Sequence, residues 1–353
     1  MREVAIVAYA QSPQVRQEKV FNEVEMLMPV IETALTEAAM TMDDIDFVCS
    51  GSCDYIAGGA FSFVSAVDAL GATPSKMESH VEMDAAWALY ESWLKIQAGE
   101  ISSALIYGFG KSSVGDLPDV MSQQCDPYYL APLWPDSISL AGLQASALLT
   151  TGRYTERDFA EVVVDSRRKA KANPAAQLSG DNEIETLLSA PYIASPLRRH
   201  DCCPITDGVS VLIITEKSAL PKGTKKPVYI RGIDHRMEAH QLGIRIMSES
   251  GSTTQALAQA KFQAGIEQFD IAELYASFSP QILILKDALN LDDQVDINPS
   301  GGPLAGHIMM SAGLDRFGMS FRALQEGEVT TALAHATSGP CLQHNMIAIL
   351  EAG

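Results

Sequence analysis

The chain contains two copies of one sequence unit, and this duplication constrains its fold more than any single motif. The segment QAGEISSALIYG (97–108) has a near copy in QEGEVTTALAHA (325–336), and their shared GE glycines lie 228 positions apart. Two more pairs, at offsets of 226 and 224, are DIDFVCSGS (44–52) with DIAELYASF (270–278), and REVAIVAYA (2–10) with KPVYIRGID (226–234). Three similar segments in one order at a nearly constant offset indicate a duplicated structural unit.

Each copy has the same predicted order of strands and helices. A β-branched strand is followed by an amphipathic helix, at 24–40 in the first copy and 254–266 in the second. Further along, a helix precedes the strand that follows GE, at 84–98 and 312–325. Strands that alternate with helices predict parallel sheets covered by helices.

The duplication predicts an N-terminal half at 1–220 and a C-terminal half at 226–353. The segment KSALPKGTKKP (217–227), rich in Lys, Pro and Gly, has the composition of a linker between them. The region from about 112 to 200 has no counterpart in the second copy. We therefore predict that it is an insertion in the first half, which caps one face of the core.

Corresponding loops of the two halves are expected to meet near a pseudo-twofold axis, and clefts of this kind favour ligand binding. The loops contain SHVEMD (79–84) and NPSGGPLAGHIMMSAG (298–313). Gly301 and Gly302 permit a close backbone approach, and His307 stands shortly before its helix. Because helix N-termini present free N–H groups, this cleft is suited to an oxyanion or a phosphate.

Composition excludes several classes of protein. The formal net charge of −19 opposes nucleic-acid binding, and no basic face with interleaved aromatic residues is present. No apolar run is long enough to span a membrane. The six cysteines include no CxxC pair and are typical of reduced thiols, and the N-terminus begins with a strand pattern rather than a signal peptide. These features predict a cytoplasmic protein without a metal site.

One basic segment departs from this acidic average. SRRKAK (166–171) closes a helix that begins near Glu156. It is either a solvated helix end whose cations complement the helix dipole, or a site where Arg167, Arg168 and Lys169 hold a phosphorylated ligand.

Four motifs resemble the thiolase superfamily, in particular its sterol carrier protein thiolases and bacterial lipid-transfer proteins. They are YGFGKSS (107–113), LRRHDCCPITDG (197–208), NPSGGPLAGH (298–307) and LQHN (342–345). The similarity extends in order over nearly the whole chain. It implies an α/β, thiolase-like fold, in which two duplicated βαβαβ halves form a five-layered α-β-α-β-α core with an inserted loop region in the first half.

The positions that correspond to the family's catalytic residues depart from its pattern. Counted back from Gly99, the place of the nucleophilic cysteine falls on Glu82, and thiolysis through an acyl-enzyme requires a thiolate. Tyr275 stands in a loop where the family usually carries Asn or His. His307 is retained, and His344 matches the sterol carrier branch. The sequence therefore predicts a reaction chamber with Tyr275 and His307 and without a cysteine.

Each candidate also has a purely structural interpretation. Glu82 and Asp84 stand where the helix dipole favours acids, whatever their function. Tyr275 could simply be a buried tyrosine with a backbone hydrogen bond. Cys203 and Cys341 are predicted to be small packing residues.

The resemblance implies a steroid side-chain retro-aldolase, which cleaves a β-hydroxyacyl-CoA into a ketone and a shorter acyl-CoA. Tyr275 and His307 are expected to move the proton, with Glu82 and His344 as further candidates. The backbone around Gly301 and Gly302 is expected to hold the enolate oxygen. No cofactor is implied, because CoA is part of the substrate.

The resemblance also implies partners and leaves alternatives open. The expected partners are a second thiolase-like chain, in a homodimer or a heterodimer, and a small OB-fold protein with a zinc ribbon. One alternative is a catalytically silent subunit that supports a catalytic partner. The other is a thiolase or acyltransferase whose nucleophile has moved elsewhere in the sequence.

Overall fold

In the computed structural model, residues 1–57, 60–71, 75–224, 226–327 and 329–353 are described. Lys225 of the predicted linker and Glu328 of the second GE segment therefore lie outside the described residues.

Ten strands form one mixed sheet in the described chain, and four short strands lie outside it. The strands of the first half are β1 (Val4–Gln11), β2 (Phe47–Gly51), β3 (Met77–Val81), β4 (Ser103–Gly110), β5 (Tyr192–Ala194), β6 (Leu197–Arg198), β7 (Ile205–Thr206) and β8 (Gly208–Glu216). The strands of the second half are β9 (Val228–Met237), β10 (Ile271–Leu274), β11 (Asp296–Ile297), β12 (His307–Ile308), β13 (Thr331–Ser338) and β14 (His344–Ala352).

The two halves of the sheet have the same strand order. The full order is β11-β10-β13-β14-β9-β1-β8-β4-β2-β3, so each half runs third, second, fourth, fifth and first strand from its outer edge to the centre. The halves join where β1 pairs with β9, through Ala5 with Tyr229 and Ile6 with Val228. The repeat that the sequence shows is therefore a repeat of sheet topology.

The prediction of parallel sheets is wrong for one strand of each half. The strands β3, β2 and β4 are parallel to one another, as are β11, β10 and β13. The last strand of each half, β8 or β14, is antiparallel to both of its neighbours. In the second half the reason is local, because the short turn 339–343 joins β13 to β14 and a parallel pair would need a long crossover.

The predicted helices are present, and those of the repeat lie close to their expected positions. The helices are α1 (Glu23–Ala38), α2 (Asp54–Ala57), α3 (Ser62–Val67), α4 (Ala85–Ala98), α5 (Leu117–Ser122), α6 (Ser137–Thr150), α7 (Glu156–Lys169), α8 (Ile184–Ser189), α9 (Gly251–Ala264), α10 (Ser279–Leu289) and α11 (Ala312–Glu326).

The repeated GE motif marks a helix end. Gly99 and Gly327 follow α4 and α11 with φ angles of 77° and 86°, the left-handed conformation that glycine adopts without a steric penalty. The chain then reverses into β4 or β13. The motif is duplicated because the same turn is built twice.

Five layers pack on one another. The central layer is α4 with α11, and its cluster of buried residues includes Trp87 and Phe317 together with side chains from both halves of the sheet. α1 covers the outer face of the first half. α9 and α10 cover the outer face of the second half, where α6 and α7 of the inserted region also pack. Each half-sheet is thus buried on both faces, which explains its nearly continuous apolar strands.

The inserted region places α5 and α6 beside the loops that follow β10 and β13, and β7 pairs with β12. This contact encloses the candidate site described below. In the described part of the chain, none of the helices combines the length and apolar character that crossing a bilayer requires.

Candidate active site

The structure brings Tyr275 and His307 together. Tyr275 directly follows β10, and His307 begins β12, so each side chain is held by a strand end of the second half. The Tyr275 hydroxyl lies 2.7 Å from Nε2 of His307, and the ring centroids are 5.2 Å apart. This pair, 32 residues apart in sequence, is the centre of the candidate site.

Burial keeps both groups neutral near pH 7. The exposed fraction is 2% for His307 and 7% for Tyr275. Burial, with a smaller effect of the Arg316 charge, lowers the pKa of His307 to about 3. Burial, followed by the Asp84 charge, raises the pKa of Tyr275 well above its usual value. The site therefore holds a neutral imidazole and a neutral phenol near pH 7, joined by a hydrogen bond along which a proton can move.

One nitrogen of His307 is left for a ligand. Nδ1 is buried and has no hydrogen-bond partner among the described residues, whereas Nε2 contacts Tyr275. If Nε2 carries the ring proton and donates it to the Tyr275 oxygen, Nδ1 presents a lone pair. If the phenol donates to Nε2 instead, Nδ1–H is an unpaired buried donor. The contact with Tyr275 is compatible with either arrangement, and the first one makes His307 a base.

His307 lines a cavity of ≈ 250 Å³. Its apolar wall comes from α6, through Ile138 and Leu140, and from Phe278 and Met309 of the second half. Tyr275 is not among the lining residues, so it contacts His307 from behind the cavity wall. The volume exceeds that of a benzene-sized cavity, ~150 Å³. It is therefore sufficient for part of an acyl thioester.

The expectation of a chamber without cysteine is wrong. Cys202, Cys203 and Cys341 all line the cavity. Cys203 and Cys341 were predicted to be packing residues, and the structure shows that both also line the cavity. Burial is the main cause that raises the pKa of each of these three thiols to about 12. They are therefore protonated at neutral pH, and a thiol is a poor nucleophile compared with a thiolate.

The turn between β13 and β14 forms another wall and is strained. Cys341 and Leu342 both have left-handed φ angles, 56° and 59°. The backbone N–H groups of Gly339, Cys341 and Leu342 have no acceptor in the described chain. Backbone strain of this kind concentrates at functional sites, and free N–H groups beside a cavity can bind an oxyanion.

Glu82 lies away from this cavity. Its side chain is 55% exposed, and it accepts a hydrogen bond from Asp54 N at 3.2 Å. It also lies 3.4 Å from Nε2 of His80, whose Nδ1 is 2.9 Å from the Ser50 hydroxyl. The position counted from the family pattern is thus at a solvent-exposed loop that follows β3.

Asp84, two residues later, points into the protein instead. It is 1% exposed and lies at the starts of both α4 and α11, where it accepts three backbone hydrogen bonds. Of the two acids, Asp84 is the one whose charge acts on Tyr275. Its contacts with Gly313 and Leu314 are not visible in the sequence around Asp84.

Gly301 and Gly302 do not line the cavity. Gly301 N donates to Asn298 O at 2.9 Å, and Gly302 N donates to the Ser300 hydroxyl at 3.2 Å. Their N–H groups are therefore already used, and both glycines take left-handed φ angles that shape the turn. In this structure the free N–H groups belong to the turn 339–343.

A buried ion pair holds the glycine turn in place. Arg316 Nη1 of α11 lies 2.5 Å from Glu273 Oε2 of β10, and both side chains are almost fully buried. Glu273 also accepts from the backbone N and the hydroxyl of Ser300, each at 2.9 Å. The pair thus joins α11, β10 and the segment that leads to His307.

The three basic residues of α7 have different surroundings. Arg168 is exposed and pairs with Asp165. Lys169 lies 2.6 Å from Asp165 and 2.7 Å from Asp296. Arg167 is half-buried, has no carboxylate partner in the described chain, and leaves its buried Nε without an acceptor. Of the three, only Arg167 lacks a carboxylate partner in the described chain.

His344 begins β14 and is half-buried outside the His307 cavity. Burial, followed by the His235 and Arg245 charges, lowers its pKa. No group of three or more His, Cys, Asp or Glu side chains that could hold a metal ion occurs in the described residues.

Comparisons with solved structures give the fold. A protein described as Ltp2-ChsH2(DUF35) aldolase superposes with a TM-score of 0.81 at 18% identity, covering 99% of this chain and 98% of that chain. A monomeric SCP2-thiolase-like protein type 1 from Mycobacterium smegmatis gives 0.79 at 19% identity, covering 99% and 76%. The predicted thiolase-like fold class is confirmed.

Curated relatives give the superfamily, and no protein-family model matches the chain. The benzoylsuccinyl-CoA thiolase subunit BbsB of Thauera aromatica is 26% identical over 54% of this chain and 57% of its own length. An acetyl-CoA acetyltransferase of Methanocaldococcus jannaschii is 24% identical over 92% and 91%. The 17-hydroxy-3-oxo-4-pregnene-20-carboxyl-CoA lyase of Mycobacterium tuberculosis is 22% identical over 80% and 82%. These relatives confirm the resemblance drawn from the four motifs.

Proposed function

The chain is a homologue of thiolase-superfamily proteins, and we propose that it is a carbon–carbon lyase acting on a β-hydroxyacyl-CoA. The products are a ketone and a shorter acyl-CoA. The observation that carries the proposal is the neutral Tyr275–His307 pair at a mainly apolar cavity whose thiols are protonated. A relative named as a lyase and a structural neighbour named as an aldolase support the same reaction class.

The reaction needs one proton acceptor and one oxyanion site. His307 Nδ1 takes the proton of the β-hydroxyl group while the bond between the α and β carbons breaks. The electrons of that bond form the enolate of the shorter acyl-CoA, and the hydroxyl carbon becomes the ketone carbonyl. The proton on His307 then returns to the α carbon, so the step needs no cofactor and no covalent intermediate.

The free N–H groups of the turn 339–343 are suited to the enolate oxygen. Gly339, Cys341 and Leu342 line the same cavity as His307, and their N–H groups have no other acceptor. Fixed backbone donors stabilise developing negative charge without reorganisation, which makes them the favoured device for such steps. We place the thioester oxygen at this turn rather than at Gly301 and Gly302.

The proposal is tested with two β-hydroxy, β-branched acyl-CoA substrates of different size. One is 3-hydroxy-3-methylbutyryl-CoA, which yields acetone and acetyl-CoA. The other is a steroid-CoA with the same β-hydroxy, β-branched acyl group. Products are identified by mass spectrometry, with and without a co-purified partner. Ketone release without added free CoA is expected, whereas a strict requirement for free CoA would contradict a lyase.

A relocated nucleophile is the alternative favoured by the thiols in the cavity. Cys203 lies near both Tyr275 and Ser277, but its thiol is protonated and no base is hydrogen-bonded to it. Cys203→Ser is therefore expected to preserve ketone release, and mass spectrometry of the intact protein after exposure to acyl-CoA should show no added acyl group. An acyl adduct on Cys203, absent from the variant, would establish the thiolase-type reaction instead.

Arg167 is the proposed contact for a phosphate of CoA. It has a charged group without a partner, and a hydrogen bond to a charged group contributes about 1.5–3 kcal/mol. Arg167→Met is expected to weaken CoA binding by about 10-fold or more, as measured by calorimetry. Arg168→Met is the matched control, because Arg168 is exposed and already pairs with Asp165. Equal affinities of the two variants for CoA would contradict this assignment.

Partner chains remain part of the proposal. The aldolase neighbour is named as a complex with a DUF35 protein, and the Thauera relative is named as a subunit. We propose that a second thiolase-like chain, a small OB-fold protein with a zinc ribbon, or both complete the site. Unchanged turnover of the assembled complex after substitution of His307 would identify this chain as a silent supporting subunit.

A further inference from the structure

α11 begins without a cap of its own. Ser311 occupies the N-cap position, but its hydroxyl makes no capping hydrogen bond and is buried without a partner. The cap is supplied from the other half of the chain. Gly313 N donates to Asp84 Oδ2 at 2.8 Å, and Leu314 N donates to Asp84 Oδ1 at 3.1 Å.

The same carboxylate caps α4. Ala86 N donates to Asp84 Oδ1 at 2.9 Å, and the adjacent Ala85 N donates to Met310 O at 2.9 Å. One side chain thus joins the N-termini of the two central helices. Its partners on α11 follow His307 by only six and seven residues.

We propose that Asp84 is a positioning residue for the reaction proposed above: by capping both central helices, it fixes the segment 307–314 and so sets the orientation of His307 against Tyr275. The inference rests on the proposed function for its kinetic consequence, but its structural consequence can be measured without a substrate.

Close packing makes this contact specific. A Cβ atom added to Gly313 would lie 2.4 Å from Asp84 Oδ1, so only glycine leaves room for the carboxylate. A Cβ atom added to Gly108 of β4 would lie 2.8 Å from Met310 O. Met310 itself has a φ angle of 68°. The segment after His307 is therefore held between β4 and Asp84 in a strained conformation that these contacts maintain.

The charge of Asp84 also acts on the site. After burial, it is the largest cause that raises the pKa of Tyr275. The other groups that affect the phenol are Cys203, which precedes β7, Ser277, and Arg316 of α11. His307 contacts the phenol directly. A negative charge at Asp84 disfavours a tyrosinate, so Tyr275 remains a neutral hydrogen-bond partner of His307.

The test uses Asp84→Asn, which has the same shape but places an amide NH₂ against one of the backbone donors. Histidine labelled with ¹⁵N reports the tautomer and hydrogen bonding of His307, whose signals are assigned by their absence in His307→Asn. In the wild type, protonation of Asp84, with its pKa raised by burial to about 6, is expected to shift the His307 signals. Asp84→Asn is expected to abolish that shift. That result would exclude Asp315, whose pKa burial also raises to about 6, as the source of the shift.

Asn22→Ala is the matched control. Asn22 caps α1 on the outer layer, where it accepts from Glu25 N at 2.9 Å. Loss of either cap is expected to lower thermal stability, but only the change at Asp84 should alter the His307 signals. Gly313→Ala perturbs the same contact from its other side, so it provides a second variant if Asp84→Asn does not fold.

The kinetic readout is the rate of ketone release at saturating substrate. Asp84→Asn is expected to lower kcat by about 10- to 100-fold with little change in KM, as for a misplaced catalytic group. If the variant loses stability as Asn22→Ala does but keeps wild-type His307 signals, the inference is overturned. If the His307 signals change but no β-hydroxyacyl-CoA is cleaved, the positioning role stands and the proposed reaction fails.

Discussion

His307→Asn is expected to lower kcat for cleavage of a β-hydroxyacyl-CoA by about 10²- to 10⁴-fold, the usual contribution of a general acid–base group. Asparagine keeps a polar side chain at the cavity wall but cannot accept the β-hydroxyl proton. Tyr275→Phe should lower kcat as well, because it removes the partner that holds Nε2 of His307 at 2.7 Å. Since the two side chains act as a unit, the double variant should be little slower than His307→Asn.

His335→Asn is the matched control for this effect. His335 is also a fully buried histidine with an unpartnered Nδ1, and burial lowers its pKa to about 4. Its Nε2 lies 3.0 Å from Asn345 Oδ1, away from the His307 cavity. The two variants should lose comparable stability, but only His307→Asn should lose activity. Equal loss of kcat would mean that the effect reports general damage to the fold.

Glu273→Gln is expected to lower the free energy of unfolding by about 3–5 kcal/mol, because it leaves the Arg316 charge buried without its counterion. Glu273 is 0% exposed and accepts hydrogen bonds from both Arg316 and Ser300. The loss is measured by urea denaturation as a lower midpoint with an unchanged slope. Activity should fall too, because the turn that leads to His307 is held by this pair.

Asp293→Asn provides the comparison on the surface. Asp293 lies 2.8 Å from Lys286, and its side chain is 94% exposed. Exposed pairs of this kind contribute little to the free energy of unfolding, because solvent screens them. A similarly small loss for Glu273→Gln would show that the interior relaxes or admits water around Arg316, and that the pair does not hold the turn.

The fold could be predicted from the sequence because its signals are local and occur twice. Helix periodicity placed α4 and α11 within one or two residues, and the GE glycines mark the ends of both. The antiparallel direction of β8 was missed, because its connection passes through the inserted region and no short turn in the sequence reveals it. The parallel assignment failed there for lack of a local signal.

The site was predicted only in part. The Tyr275–His307 contact joins two loops of the second half, and both residues were expected at the site from the family resemblance rather than from the duplication. Cys203 and Cys341 line the cavity because the segment before β7 and the turn 339–343 meet there, and the sequence around either cysteine does not specify that the two segments meet. Gly301 and Gly302 use their N–H groups within their own turn, which depends on the placement of Asn298 and Ser300.

The sequence by itself determined the duplicated order of strands and helices. Hydrophobic periodicity, helix caps and the glycines at helix ends each depend on only a few neighbouring residues. Only the tertiary structure decided which of two neighbouring acids is buried at the centre of the protein. Glu82 reaches solvent, whereas Asp84 meets Gly313, 229 residues away in sequence. A contact of that separation depends on how two helices dock in the central layer, and no local pattern specifies it.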